Sequence, residues 1–188
     1  MPRSGEPVRR RLELAAVELF VEHGYDQTTA QRIATRAGVT ERTFFRHFAD
    51  KREVLFGGEA ELRETLTNAI AAVPEGTKPL PTIQAAFHAS VPLFERNRVV
   101  SEPGARLVAT TPALHERSLA KTAALIDAMT EALRARGTEQ RIAHLCAQIG
   151  MDTFRSATSR WQADASTGLA TLIDQAFVQL REVVGTLG

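Results

Sequence analysis

Hydrogen-bond donors are concentrated on one face of a short predicted helix between Glu41 and His47. The side chains on this face are Arg42, Thr43, Arg46 and His47. Phe44 and Phe48 lie four residues apart on the opposite face, which predicts that they pack inward. A helix with one apolar edge and donors on the other has the shape and chemistry that enter the major groove of DNA.

A second short helix and a tight turn are predicted just before this segment. Thr28 and Gln31 have the spacing of a capping box, in which each side chain satisfies a free amide of the first helical turn. Gly38 accommodates the positive φ that the turn needs, and Thr40 supplies an N-cap for the next helix. The sequence from 28 to 51 therefore predicts a helix-turn-helix.

Positive charge is local to this segment. Between Gln31 and Arg52 the chain has six basic and two acidic residues, whereas the whole chain of 188 residues has a formal net charge of +1. Many helical hairpins contain a glycine turn without a role in nucleic-acid binding, but this charge distribution favours phosphate contact. The basic triplet from Arg9 to Arg11 has two open interpretations, a solvated helix start and a contact with phosphate.

The flanking segments are predicted to be helical as well. An apolar stripe from Leu12 to Phe20 predicts a first helix that ends at Gly24 and follows a loose arm over residues 1–7. After the motif, a long helix is predicted over 51–73. Its start has capping-box spacing at Asp50 and Glu53, and two consecutive glycines, Gly57 and Gly58, weaken it.

The rest of the chain is predicted to be helical after a proline-rich loop at 74–81. The predicted helices are 82–98, 102–110, 112–136, 138–160 and 164–187. No alternating run of β-branched residues predicts a strand. The predicted fold class is therefore all-α, with an N-terminal three-helix helix-turn-helix domain over 1–56 and a C-terminal helical ligand-binding and dimerisation domain over 57–188.

The last two predicted helices have apolar faces that are wide for helices on a surface. One stripe runs from Leu169 to Leu187, and a partner stripe includes Ile142, Leu145, Cys146, Ile149 and Phe154. One interpretation is a helix pair within one subunit. The other is that the pair also meets its copy in a homodimer, as a four-helix bundle with two-fold symmetry.

Several classes of protein are disfavoured. A single cysteine, Cys146, excludes an internal disulfide framework and a cysteine-based zinc cluster, and its apolar neighbours favour a buried, inert thiol over a redox sensor. No long apolar run or leader pattern is present, so a soluble, cytoplasmic protein without membrane contact is expected. The five histidines lack paired metal-ligand spacing, and no catalytic motif, metal site or cofactor site is predicted.

A small-molecule pocket is plausible among the C-terminal helices. Its predicted lining is aromatic, with two arginines that could pair an anionic ligand: Phe87, Phe94, Phe154 and Trp161, with Arg96 and Arg106. Aromatic residues at helical spacing also form ordinary cores, and arginines also form solvated faces. Both alternatives stay open.

The stretch ELFVEHGYDQTTAQRIATRAGVTERTFFRHFADKREVL resembles the N-terminal domain of tetracycline-repressor-type transcription regulators, over about residues 8 to 56. The resemblance implies a homodimer that binds a roughly palindromic operator in double-stranded DNA, usually as a repressor. It also implies that a ligand in a C-terminal cavity releases the homodimer from the operator. The stretch FERNRVVSEPGARLVATTPALHER is loosely similar to a subgroup that includes mycofactocin-type regulators and is associated with ligands like acyl-coenzyme A.

The same resemblance implies roles for individual residues. Positions that touch bases or phosphates correspond to Glu41, Arg42, Thr43 and His47, with Gln31 on the preceding helix and Lys51 as a phosphate contact. Arg42 replaces a residue that is usually small and could bind guanine in a bidentate manner. Phe45 replaces a frequent tyrosine, which leaves only apolar contact, for instance with a thymine methyl group. Arg46 completes the set of predicted DNA contacts.

The sequence thus predicts a dimeric, ligand-responsive transcription repressor. A ligand-independent architectural DNA-binding protein is the alternative. A helical enzyme or interaction module is a third hypothesis, which would require the absence of DNA binding.

Overall fold

The computed structural model describes residues 6–164 and 166–186. All regular structure in these residues is helical, which confirms the predicted all-α fold. The α-helices are α1 Glu6–His23, α2 Ala30–Arg36, α3 Glu41–His47, α4 Glu59–Ala72, α5 Pro79–Thr110, α6 Pro112–Ala135, α7 Gln140–Ala163 and α8 Leu169–Thr186, with a 3-10 helix at Glu53–Phe56. None of these helices is both long and apolar enough to cross a bilayer.

The chain packs as two compact units. The first consists of residues up to Glu59 together with Arg96–Ala120, and the second consists of Ala60–Glu95 together with the chain from Lys121 onward. Both α5 and α6 contribute residues to each unit. The prediction of a single boundary after residue 56 lies close to the first break, but it does not include the return of the chain to the first unit.

The first unit has its own apolar core, built where α1, α2 and α3 meet. Phe20 of α1, Ile33 of α2 and Phe44 of α3 are all at most 1% exposed. Phe48, directly after α3, is also buried, so both phenylalanines face inward as predicted. The first helix therefore supports the helix pair from behind and leaves the outer face of α3 in solvent.

The second unit is organised around stacked aromatic rings. Phe87 of α5 stacks on Phe154 of α7 with centroids 4.2 Å apart, and Phe177 of α8 lies 6.4 Å from Phe87. Gly150 of α7 is buried against Ile83 of α5, where a side chain would not fit. The absence of a Cβ at this position thus permits the close approach of the two helices.

The predicted break between residues 98 and 102 is wrong, because α5 is one helix of 32 residues. Its interior includes Pro92 and Pro103, although an interior proline costs about 3 kcal/mol relative to alanine. Apolar residues on both sides of the predicted break are packed: Phe87 lies in the core of the second unit, and Leu107 packs against the core of the first. Tertiary packing therefore outweighs the local signal for a turn.

The predicted long helix over 51–73 is also wrong. The chain forms the 3-10 helix Glu53–Phe56, passes through Gly57 and Gly58, and only then begins α4. The cost of glycine in a helix interior favours the interruption at this position.

Two further boundaries differ from the predictions. Helix α1 already includes Glu6 and Pro7, so the predicted arm is wrong for these two residues, and residues 1–5 lie outside the described chain. Helix α8 begins at Leu169 rather than at Asp164 because the Asp164 carboxylate accepts hydrogen bonds from the amide and hydroxyl of Ser166, which stabilise a turn. The predicted end at Leu187 lies outside the described residues.

Candidate nucleic-acid interface

The turn between α2 and α3 has the predicted geometry. Gly38 has a φ of +69°, and the Val39 amide donates to the Ala34 carbonyl at 2.9 Å. The Thr40 hydroxyl accepts a hydrogen bond from the Thr43 amide at 3.2 Å and so caps α3. Local backbone and capping interactions therefore fix the start of α3.

The predicted cap of α2 is wrong by one residue. Thr29 is the N-cap, and its hydroxyl accepts from the Arg32 amide. Thr28 is fully buried, and its hydroxyl donates to the carbonyls of Gly24 at 2.9 Å and Leu19 at 3.2 Å. Of two adjacent threonines, the one that packs against α1 is thus unavailable as a cap.

Most of the predicted DNA contacts lie on the surface. Gln31 on α2 is exposed, as are four residues of α3: Glu41, Arg42, Phe45 and Arg46. Phe45 is 52% exposed, although its ring is large and apolar. Thr43 is half-buried and shares a hydrogen bond of 3.0 Å with the Thr40 hydroxyl.

Fewer positive charges on this surface are available to an external anion than the residue count indicates. Arg36 pairs with Glu22 at 2.8 Å and Glu18 at 3.2 Å, and the hydrogen bond from Arg36 lowers the pKa of Glu22. Arg52 pairs with Asp50 at 2.8 Å. Arg42 and Arg46 have no carboxylate partner in the described part of the chain, so their charges are available to an external anion.

His47 occupies a half-buried position at the end of α3. Burial lowers its pKa, and the neighbouring charges of Arg46 and Arg9 lower it further. Its Nε2 atom is buried and has no hydrogen-bond partner among the described residues. The imidazole is therefore neutral near pH 7 and can offer a hydrogen bond rather than a positive charge.

Lys51 is engaged inside the protein. Its ammonium donates to the carbonyls of Tyr25 at 2.8 Å, Thr28 at 3.0 Å and Asp26 at 3.4 Å. It also lies 4.2 Å from the centroid of the Tyr25 ring. These contacts occupy the three donors of the group that the sequence resemblance assigns to phosphate.

Two arginines make tertiary contacts that the sequence analysis did not predict. Arg9 donates to the Gly57 carbonyl at 2.6 Å and lies 4.9 Å from the centroid of the Phe48 ring. Arg117 of α6 pairs with Glu53 at 2.7 Å and with Glu59 at 2.6 Å. The Gly57 carbonyl and the carboxylates of Glu53 and Glu59 are 48 to 64 residues away from these arginines along the chain, so no local pattern predicts the contacts.

The residues predicted to line a ligand pocket do not all belong to the same unit. Phe87, Phe154 and Trp161 are buried in the second unit, and Phe94 packs edge-on against Phe154 at 5.2 Å. Arg96 and Arg106 belong to the first unit, and Arg106 is an exposed partner of Glu102. The predicted pocket stays a prediction, and a ligand among these rings would have to separate them.

Apolar side chains also lie on the outer faces of α7 and α8. Ile142 and Leu145 of α7 are 48% and 50% exposed, and Val178 of α8 is 43% exposed. The predicted partner stripe is thus divided, since Phe154 packs in the core whereas Ile142 and Leu145 do not. Cys146 is half-buried beside them, and burial raises the pKa of its thiol, as expected for an unreactive cysteine.

A capped turn of this geometry, followed by a short helix with a buried aromatic face and a solvated polar face, is the helix-turn-helix arrangement whose second helix can enter a groove of DNA. Residues 14–56 match the family described as bacterial regulatory proteins, tetR family. The N-terminal part of the chain therefore has a DNA-binding domain of the tetR type.

Relatives extend the similarity beyond the motif. The HTH-type transcriptional regulator TcmR of Streptomyces glaucescens is 33% identical over 134 residues, which cover 68% of this chain and 59% of TcmR. MftR of Mycobacterium tuberculosis, named as a mycofactocin biosynthesis transcriptional regulator, is 24% identical over 98% of this chain and 96% of MftR.

The fold is also similar to that of a solved structure. Thermus thermophilus FadR, a TetR-family repressor in complex with lauroyl-CoA, is 27% identical, with a TM-score of 0.56 and coverage of 93% of both chains. TcmR, MftR and FadR are all named as regulators or repressors of transcription. None of the three names describes an enzyme, which supports the predicted class of a transcription regulator.

Proposed function

We propose that the chain is a cytoplasmic, homodimeric repressor that binds a palindromic operator through α3 and is released by a small ligand. The observation that carries the proposal is the outer face of α3. It presents two arginines without carboxylate partners in the described chain, while Phe44 fixes the same helix in the core.

We assign distinct roles to the residues on this face. Arg42 lies near the start of α3 and suits a bidentate contact with guanine O6 and N7. Arg46 lies one turn later and suits a phosphate, whereas the exposed ring of Phe45 suits a thymine methyl group. The remaining polar contacts are assigned to Gln31, Glu41, Thr43 and His47.

Dimerisation is assigned to α7 and α8. Support comes from Ile142, Leu145 and Val178, which are apolar and about half-exposed on these two helices. Apolar side chains that are exposed in one subunit favour association, because an interface removes their surface from water. A two-fold dimer would place two copies of α3 about 34 Å apart, or a multiple of this distance, on the operator.

The ligand is proposed to bind in the second unit and to resemble acyl-coenzyme A. Support comes from the aromatic group formed by Phe87, Phe94 and Phe154, which an acyl chain could enter, and from the similarity to FadR, whose structure holds lauroyl-CoA. The ligand could weaken operator binding only if its affinity differs between the free and the bound dimer.

The direct test begins with sequencing of genomic fragments captured by the purified protein. Fluorescence anisotropy then measures affinity for the selected duplex and for a scrambled duplex across a salt series. We expect preference for one palindromic site and a steep loss of affinity with salt. Light scattering on the same preparation should give twice the chain mass of 20.6 kDa.

Arg42→Ala is the decisive variant. Loss of a bidentate base contact should weaken specific binding by about 1–3 kcal/mol. Arg63→Ala removes the same charge from an exposed position on α4 and is the matched control. Equal affinity of the wild-type protein for scrambled DNA would favour an architectural DNA-binding protein, and an Arg42→Ala variant that matches Arg63→Ala would reject the assignment of α3.

A further inference from the structure

The contacts of Lys51 join the segment that precedes α2 to the segment that follows α3. Tyr25, Asp26 and Thr28, which supply the carbonyls, precede α2. Lys51 itself follows α3. The turn at Gly38 joins the end of α2 to the start of α3. Lys51 links the other two ends of these helices, because it connects the residues before α2 to the segment after α3.

The chemistry of this site suits an ammonium ion. An ammonium has three donors around one point charge, and three carbonyl oxygens lie within 2.8 to 3.4 Å of it. The face of the Tyr25 ring, 4.2 Å away, adds a cation–π contact. A phosphate oxygen could bind Lys51 only by displacing one of these partners.

The same contacts hold the residues that begin α2. Both the side chain and the backbone of Thr28 form hydrogen bonds. Its hydroxyl donates to the carbonyls of Gly24 and Leu19, and its own carbonyl accepts from Lys51. The next residue, Thr29, caps α2. Tyr25 in turn packs on the buried ring of Phe20, with centroids 5.2 Å apart.

We propose that Lys51 is a positioning residue, which sets the angle between α2 and α3 by joining their outer ends, and that it is not a phosphate contact. This inference rests on the proposed function, since it assigns a role within the same DNA-binding surface. Loss of Lys51 would leave the Tyr25 and Thr28 carbonyls without their charged donor and would allow α3 to shift relative to α2. A shifted α3 would read bases poorly while its arginines still met phosphates.

The test compares three variants of the full chain: Lys51→Met, Lys51→Arg and Arg52→Met. Arg52→Met removes the same charge one residue away, from an exposed side chain that pairs with Asp50. Lys51→Arg keeps the charge but replaces a compact ammonium with a planar fork that does not match three converging carbonyls. Anisotropy is measured on the selected and scrambled duplexes across a salt series, and amide hydrogen exchange is measured without DNA.

We expect both Lys51 variants to lose about tenfold or more in the ratio of specific to scrambled affinity. The slope of log affinity against log salt should stay unchanged. Amides in residues 28–33 should exchange faster than in the wild-type protein and in Arg52→Met. A role in stability alone would lower the folded fraction, but it would leave the discrimination of the folded protein intact.

A phosphate contact gives the opposite pattern. Lys51→Met would then lower the salt slope by about 1 per subunit, Lys51→Arg would bind like the wild-type protein, and exchange at 28–33 would not change. Any of these results would overturn the inference. Wild-type protein that showed no preference for the selected duplex would instead overturn the proposed function. The exchange measurement would still test whether the contacts of Lys51 hold residues 28–33 in place.

Discussion

Gly150→Ala should destabilise the second unit, although the same change in most helices is favourable. Gly150 lies inside α7, and an alanine Cβ at this position would overlap Cγ2 of Ile83 in α5. The same Cβ would lie 3.5 Å from Cε2 of Phe87, which is an ordinary contact. The steric conflict is therefore confined to one methyl group, but that group is fully buried.

Two opposing effects determine the magnitude. Overpacking of a core costs about 1–3 kcal/mol, whereas replacement of glycine by alanine in a helix interior gains about 1 kcal/mol. The difference predicts a net loss of about 1 kcal/mol, with an upper limit near 2 kcal/mol. For a chain of this size, a loss of about 1 kcal/mol lowers Tm by about 2–4 °C.

The assay is urea unfolding followed by circular dichroism and by the fluorescence of Trp161, the one tryptophan of the sequence. Gly104→Ala in α5 is the control, because its Cβ would lie 3.8 Å from Leu55, and we expect it to stabilise the protein. Ile83→Leu removes the conflicting methyl group and should offset the effect of Gly150→Ala in the double variant. A Gly150→Ala variant that is as stable as Gly104→Ala would refute the steric argument.

Two further predictions concern the first unit. Arg117→Ala should lower the free energy of unfolding by roughly 1–3 kcal/mol, between the values for exposed and buried ion pairs, because it leaves Glu53 and Glu59 without their partner. Chemical denaturation measures this loss, with Arg134→Ala, which breaks an exposed pair, as the control. A loss no larger than that of Arg134→Ala would contradict the prediction. His47→Gln should reduce the loss of folding stability as the pH falls below 6.5, because burial lowers the pKa of His47 and the unfolded chain therefore binds its proton more readily. Urea unfolding across a pH series with His144→Gln as the control tests this, and equal slopes for the two variants would reject it.

Local signals were sufficient to predict the helix-turn-helix. The positive φ at Gly38 and the hydroxyl cap from Thr40 are properties of three or four adjacent residues, so the sequence determines them directly. The burial of Phe44 follows from a helical period in the same short segment. These features positioned α3 correctly without knowledge of its tertiary partners.

The errors arose where distant contacts decide between similar local options. Thr28 and Thr29 have the same capping chemistry, and only the contacts of Thr28 with Leu19 and Gly24 show which one is free to cap α2. Pro103 and the adjacent Gly104 have the composition of a turn, yet α5 continues through them because Gly104 is buried against Leu55. Propensity is a weak prior in such positions.

The charge of the candidate DNA surface illustrates the same distinction between composition and contacts. Counting places six basic residues between Gln31 and Arg52, but four of them have internal partners. Arg36 and Arg52 pair with carboxylates, and Arg32 and Lys51 donate to backbone carbonyls. Each internal partner removes a donor that the count would assign to DNA. The salt dependence of operator binding should therefore reflect the two arginines of α3 more than the total charge of the segment, since only groups that neutralise phosphates release counterions.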